Sequence, residues 1–266
     1  MDRTTLLDAV VKLVETVGRF QMSRFRTLPA GGGTEKQARE TVSEVDVHSE
    51  ELLLEGLSDL LPDAGFYGEE SGTQGNAAFR WVVDPLDGTS NYLSGLEQFS
   101  ISVALEKDGR TELGVVFRPA SGECYAALRG AGVRRNHVSC PPVPAGDMSR
   151  ALIGTGFPFR SPDLARCFFP CAEEVLYASR GIRRFGSAAL DLSYVAAGFL
   201  QGFWESDLQP YDVAAALLFL EESGCTVTNL QGQPYSPYQD RLMICGFPLV
   251  HESLLEIVAK HYTPTA

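Results

Sequence analysis

Residues 81–92 read Trp81-Val82-Val83-Asp84-Pro85-Leu86-Asp87-Gly88-Thr89-Ser90-Asn91-Tyr92. A short apolar strand delivers two carboxylates at its end, three residues apart. Pro85 removes a backbone donor and bends the chain. Gly88 lets the backbone approach a ligand closely. Thr89-Ser90-Asn91 can start a helix, whose first N–H groups suit an anion. Two carboxylates beside an anion site conflict unless a cation lies between them, and oxygen-only ligands with open positions suit Mg2+. An ordinary Asp-Gly turn explains two of these residues but not the whole pattern.

On the N-terminal side of this stretch, residues 4–21 place Leu6, Val10, Leu13, Val14 and Val17 on one helical face. Residues 29–40 read as a mobile loop. A second helix runs from about Val45 to Leu61, with Pro62 just past its end. On the C-terminal side the period changes to two. Phe99, Ile101, Val103 and Leu105 alternate with small residues, then strands over 112–118 and 123–129 follow short turns at 107–109 and 119–122. Strands joined so tightly must be antiparallel.

After about residue 145 strands and helices alternate. Strands are predicted near 151–156, 182–185, 202–206, 225–228 and 242–246, and helices near 162–178, 187–198, 212–223 and 248–260. The expectation is a layered α/β protein with one catalytic domain over 1–266. Its first half, to about residue 145, carries the metal-site helices and an antiparallel sheet. Its second half, over 146–266, carries a mixed sheet and the substrate pocket.

The chain has 266 residues, enough to bury a core without disulfides or a structural metal. Its 22 basic and 34 acidic residues leave a net charge of −12. That argues against nucleic-acid binding, which needs a basic stripe. An acidic protein would also repel an anionic substrate unless a bound divalent cation attracts it. The longest apolar run, Val213 to Leu220, is eight residues, where a membrane span needs about 20. The N-terminus carries Asp2, Asp8 and Glu15 and lacks signal-peptide character. The scattered cysteines (Cys124, Cys140, Cys167, Cys171, Cys225, Cys245) read as free thiols of a cytoplasmic protein. Cys167 and Cys171 could share a helix face but have no further ligand nearby for a metal.

Three more acidic positions support a cation: Glu69-Glu70 after Phe66-Tyr67, Asp46 with Glu50 one turn later, and Asp212 opening a small-residue helix. Together these blocks carry a resemblance. Val42-Ser43-Glu44-Val45-Asp46 with Glu50, Gly68-Glu69-Glu70-Ser71, Asp84-Pro85-Leu86-Asp87-Gly88-Thr89-Ser90-Asn91, and the run from Gly186-Ser187-Ala188-Ala189-Leu190-Asp191 through Gly202-Phe203-Trp204-Glu205 to Asp212-Val213-Ala214-Ala215 follow the order and spacing of one family. The chain resembles the inositol monophosphatases, Mg2+-dependent and Li+-sensitive phosphatases.

The resemblance implies an αβαβα sandwich. It implies two or three Mg2+ held by Glu69, Asp84, Asp87, Asp212 and the Leu86 carbonyl, with Asp46 acting through water from the outer shell. Glu69 and Thr89 would position the attacking water, and Gly88 and Thr89 N–H groups the phosphate. Gly186, Ser187, Ala188 and Glu205 would line the alcohol pocket, with Asp212 at its edge and Asp87 touching both metal and substrate. A small phosphorylated polyol is the implied partner, and a homodimer the implied assembly. A metal pair clamping both reacting oxygens is consistent bottom-up chemistry. None of His48, His137, His251 or His261 lies in these blocks, so a phosphohistidine route is poor.

Some positions depart from the family. Tyr211 stands where Trp is usual, Ala216 where Gly is usual, and Lys36 lies ten residues before Asp46 rather than about eleven. Ile244-Cys245-Gly246-Phe247 replaces a small polar sequence. Fructose-1,6-bisphosphatases, histidinol-phosphate phosphatases and 3′-phosphoadenosine phosphatases share the metal blocks. Glu205 in Gly-Phe-Trp-Glu favours a polyol, whereas Arg183 and Arg184 could serve a second phosphate. A regulatory protein on the same fold, acting through a partner, is the alternative of another class.

Overall fold

The computed structural model describes residues 2–27, 34–37, 40–75, 77–143, 146–159 and 161–262, without the side chains of 34–37 and 40–42. Helix α1 (Arg3–Arg24) starts where the Asp2 carboxylate accepts the N–H groups of Thr4 and Thr5. Strands β1 (Thr34–Gln37) and β2 (Glu40–Val42) form an antiparallel hairpin where the sequence suggests only a loop. The rest of that expected loop, 29–33 and 38–39, lies outside the described residues. Pairing Thr34 with Val42 and Glu35 with Thr41 satisfies their backbone groups. Strands this short carry too little periodicity to be read from sequence. Lys36 falls within β1, and its side chain lies outside the described residues. Helix α2 (Glu44–Leu60) opens with a capping box between Ser43 and Asp46.

The next eight strands build one sheet. They are β3 (Gly65–Gly68), β4 (Gly72–Gln74), β5 (Phe79–Asp87), β6 (Ser100–Lys107), β7 (Arg110–Arg118), β8 (Glu123–Leu128), β9 (Val133–Arg135) and β10 (Val138–Ser139). Their order in the sheet is β10-β9-β8-β7-β6-β5-β3-β4, and the short helix α3 (Thr89–Leu93) follows β5. All neighbours pair antiparallel except β3 and β5, which run parallel, Gly68 beside Val83. The strands joined by short turns, β6 to β8, pair antiparallel as those turns predict, whereas the β3–β5 pair departs from the antiparallel sheet expected for the first half. The chain reverses into β4 on the outer edge of β3 and crosses back to enter β5 in the same direction as β3.

The second half alternates β11 (Leu152–Thr155), α4 (Ala165–Ala178), β12 (Gly181–Arg183), α5 (Ala188–Ala196), β13 (Gly202–Ser206), α6 (Pro210–Glu222), β14 (Thr226–Thr228), β15 (Leu242–Gly246) and α7 (Pro248–Tyr262). Its five strands lie in the order β12-β11-β13-β15-β14. β11 is parallel to β12 and β13, and β15 antiparallel to β13 and β14, which makes the mixed sheet that the sequence suggests.

Strand alternation then sets the layers. Trp81, Val83, Ile101, Val103 and Val115 face α1 and α2, packing on Val10, Val14, Leu53 and Leu57. Their neighbours Val82, Ala104 and Val116 face the opposite way, onto α5 and α6. Phe203, Met243 and Cys245 of the second sheet close the same core from its far side. Ile153, Trp204 and Ile244 point outward onto α4 and α7. The result is the αβαβα sandwich. Helices α5 and α6 lie between two sheets, so most of their residues are buried, and they are rich in small residues such as Ala189, Ala214, Ala215 and Ala216. Among the described residues no helix is long and apolar enough to cross a membrane.

Candidate active site

Parallel pairing brings strand ends together. β3 and β5 end side by side, placing Glu69 next to Asp84 and Asp87, and the Glu69 N–H donates to the Val83 carbonyl at 3.2 Å. β11 and β13 end side by side with Thr155 opposite Trp204, which sets Gly156 against Glu205. The N-termini of α3, α5 and α6 complete a cavity of about 250 Å³, lined by residues from all these elements. Crevices beyond strand C-terminal ends are where α/β folds bind ligands.

Six carboxylates line the cavity: Glu69, Asp84, Asp87, Asp191, Glu205 and Asp212. Arg184 is the one basic side chain among the described lining residues. Protein donors orient the acids. Asp84 Oδ1 accepts the Leu86 N–H at 2.9 Å. Asp87 Oδ2 accepts the Ser187 hydroxyl and the Ala189 N–H, each at 2.7 Å, at the positive end of α5. Asp212 Oδ2 accepts the Gln209 N–H at 2.7 Å.

Burial pushes the Asp84 carboxyl well above its usual range, and the charges of Glu69, Asp87 and Asp212 push it further. Burial and Asp212 raise Asp87 to about 7. Burial likewise raises Asp191, reinforced by Glu205 and Asp87 and opposed by Arg184. Among the described residues no three His, Cys, Asp or Glu side chains stand at ligating spacing. The acids share a cavity, and backbone donors hold Asp84, Asp87 and Asp212 in place. Six carboxylates beside a single arginine among the described lining residues fit a hard divalent cation such as Mg2+.

The opposite wall follows from backbone geometry. Gly88 has φ +97°, and a Cβ there would stand 2.9 Å from the Gln98 carbonyl oxygen and 3.0 Å from that of Gly186. Only glycine lets the turn lie against the 185–188 segment. Asn91 Nδ2 ties the same segment down, donating to the carbonyls of Gln98 at 2.6 Å and Phe185 at 2.8 Å. The Thr89 hydroxyl donates to Asp46 Oδ1 at 2.7 Å, while Asp46 Oδ2 accepts the Ser43 N–H at 3.0 Å. Burial raises the Asp46 carboxyl despite these bonds.

Of the residues singled out from sequence, Glu69, Asp84, Leu86, Asp87, Gly88, Thr89, Gly186, Ser187, Ala188, Glu205 and Asp212 all line the cavity. Asp46 does not line it and reaches it through Thr89. Glu50, expected to support a cation, instead accepts the backbone N–H groups of Glu70 and Ser71. Arg184 reaches the rim, whereas Arg183 donates to the Ile182 carbonyl and does not line the cavity. The six cysteines are free.

Sequence reasoning gave no role to several residues. Thr155, Gly156, Phe159, Asp191 and Leu208 also line the cavity. Gln21 of α1 donates to the Pro85 carbonyl at 2.7 Å, bracing the Asp84–Asp87 turn from behind. Gly154-Thr155-Gly156 at a strand end was a usable signal for the first two. Gln21 gave none, because one amide on an apolar helix face has many structural explanations.

The family model for the inositol monophosphatase family matches residues 2–263. Similar curated relatives include an inositol-1-monophosphatase of Rhizobium meliloti, 38% identical with 98% of each chain covered. Another is a Nus factor SuhB of Xylella fastidiosa, 35% identical with 96% of this chain and 94% of the relative covered. Among solved structures, the extragenic suppressor protein suhB from Bartonella henselae superposes with a TM-score of 0.90 at 32% identity, covering 96% of this chain and 99% of that one. The inositol monophosphatase from Anabaena superposes with a TM-score of 0.84 at 28% identity, covering 97% and 96%.

Proposed function

The chain belongs to the inositol monophosphatase family, and on that premise we propose that it is a Mg2+-dependent phosphomonoesterase acting on myo-inositol 1-phosphate or a closely related polyol phosphate. The observation that carries this reading is the gathering of Glu69, Asp84, Asp87 and Asp212 in one cavity with Glu205. Glu69, Asp84, Asp87, Asp212 and the Leu86 carbonyl would hold the metal. When bound, Mg2+ supplies Lewis-acid stabilisation of the phosphoryl oxygens and acidifies water.

The chain's own groups do the rest. With its proton directed at Asp46, the Thr89 oxygen accepts a hydrogen bond from the attacking water, which Glu69 helps to orient; as the water attacks, its proton passes to the Thr89 oxygen while the Thr89 proton moves onto Asp46. The N–H groups of Gly88 and Thr89 hold the phosphate. Asp87, fixed by Ser187 and Ala189, keeps the 186–188 wall in register with the phosphate end. Glu205 accepts hydrogen bonds from the polyol hydroxyls, beside Gly186, Ser187 and Ala188, with Asp212 at the edge. Water attacks in line, the P–O bond to the polyol breaks on the opposite side, and the leaving oxygen takes a proton from solvent water, so no covalent nucleophile is needed.

Phosphate release from myo-inositol 1-phosphate, with and without chelator, tests this beside fructose 1,6-bisphosphate and 3′-phosphoadenosine 5′-phosphate. Chelator-sensitive preference for the inositol ester supports the reading. Preference for another ester keeps the chemistry and changes the substrate. A second reading is favoured by the relatives called Nus factor SuhB: a regulatory protein that works through a partner. Absence of metal-dependent release from every ester would favour it.

A further inference from the structure

Glu69 sits on the 68–71 turn, and a buried carboxylate from another element holds that turn. Glu50 lies on α2, 3% exposed. Its Oε2 accepts the Glu70 N–H at 2.9 Å, and its Oε1 accepts the Ser71 N–H at 2.7 Å. Charge-assisted bonds to two successive N–H groups are stronger and more directional than neutral ones. The same carboxylate lies flat on Gly68, where a Cβ would run into it, Oε1 at 2.7 Å. The turn therefore closes over Glu50 only because residue 68 has no side chain. One turn earlier on the same helix, Asp46 holds the Thr89 hydroxyl.

We propose that Glu50 is a positioning residue: it fixes the 68–71 turn so that Glu69 meets the metal-holding carboxylates, and α2 thereby sets Glu69 and Thr89 in register. The proposal rests on the reading of this cavity as a metal-dependent phosphatase site. Glu50 does not line the cavity. It acts through the backbone of Glu70 and Ser71.

Two substitutions test it from opposite sides of one contact. Glu50→Gln exchanges one acceptor oxygen for an NH2 that faces a backbone N–H. Gly68→Ala pushes the carboxylate off the turn. Both are made in the full chain. The readouts are the Mg2+ concentration for half-maximal phosphate release from myo-inositol 1-phosphate and, without substrate, the Mg2+-induced rise in Tm. Half-saturating Mg2+ is expected to rise about tenfold in each variant, and the Tm response to shift to correspondingly higher Mg2+. KM for the ester at saturating Mg2+ is expected to stay within about twofold. The double variant is expected to add little, because both changes break the same contact.

Folded variants with the wild-type Mg2+ dependence in both readouts would overturn the proposal, however low their Tm, and leave Glu50 a purely structural residue. Additive effects in the double variant would overturn the shared contact. If only one variant folds, its two Mg2+ readouts decide alone. A wild type that binds Mg2+ without releasing phosphate would defeat the phosphatase reading, while the Tm response still decides the role of Glu50 in shaping the carboxylate cluster.

Discussion

Asp87→Asn should remove activity and yet stabilise the metal-free protein above neutral pH. In the folded chain Asp87 titrates at about 7, against an ordinary 3.8, because of burial and the charge of Asp212. Between roughly pH 4 and pH 7 the folded state holds a proton that the unfolded chain has released. Stability therefore falls as pH rises through that window, and the loss is complete above it. About three pH units at ~1.4 kcal/mol each would give about 4 kcal/mol. Asp87 is only partly buried, and solvent screening reduces this to about 2 kcal/mol. An asparagine oxygen can still accept from Ser187 and Ala189, so the variant keeps the local bonds and loses the cost of burying a charge together with the repulsion from Asp212.

The assay is thermal melting in chelator at pH 5 and pH 8, wild type beside variant. At about 2–4 °C per kcal/mol for a chain of this size, we expect the variant to melt about 4–8 °C higher at pH 8, and by much less at pH 5. Saturating Mg2+ should close the gap at pH 8 by stabilising the wild type alone, and Mg2+-dependent hydrolysis by the variant should be lost. A variant that melts at or below the wild type at pH 8 would refute the electrostatic argument. Near-normal turnover would refute the metal role of Asp87.

Three further outcomes are expected. Glu205→Gln should lower kcat/KM on myo-inositol 1-phosphate by about tenfold, the scale of one charge-assisted hydrogen bond, and change aryl phosphate turnover little; equal losses on both would remove Glu205 from substrate recognition. Gly156→Ala places a Cβ where the Glu205 carboxylate lies, so the same substrate-selective loss should appear with Glu205 intact, and an unaltered preference would show that Glu205 moves freely. Gly88→Ala forces a side chain into a left-handed turn against two carbonyls, and urea unfolding should show a loss of about 2–4 kcal/mol.

Much of this architecture is legible in the chain because its signals are local. Alternation over 98–129 marks the hairpins of β6, β7 and β8, and helical spacing marks α1 and α2. The short pieces are not legible. β1, β2, β9 and β10 have two to four residues each, too few to carry a period, and they exist because a neighbouring strand satisfies their backbone. The parallel pairing of β3 with β5 escapes for a related reason, since it depends on where the chain returns after β4.

The site divides along the same line. Which carboxylates are available can be read from the chain alone, because Asp84, Asp87 and Gly88 sit in one continuous turn and Glu69 and Asp212 lie in recognisable blocks. What each acid does is settled by packing. Glu50 and Asp191 are both acidic and both buried, yet one is bound by backbone N–H groups of a neighbouring turn and the other faces the cavity. Arg183 and Arg184 are adjacent, yet only Arg184 reaches the rim. A residue's chemistry is a property of its type, but its partners come from strands and helices far away in the chain, and those meet only when the sheets pack.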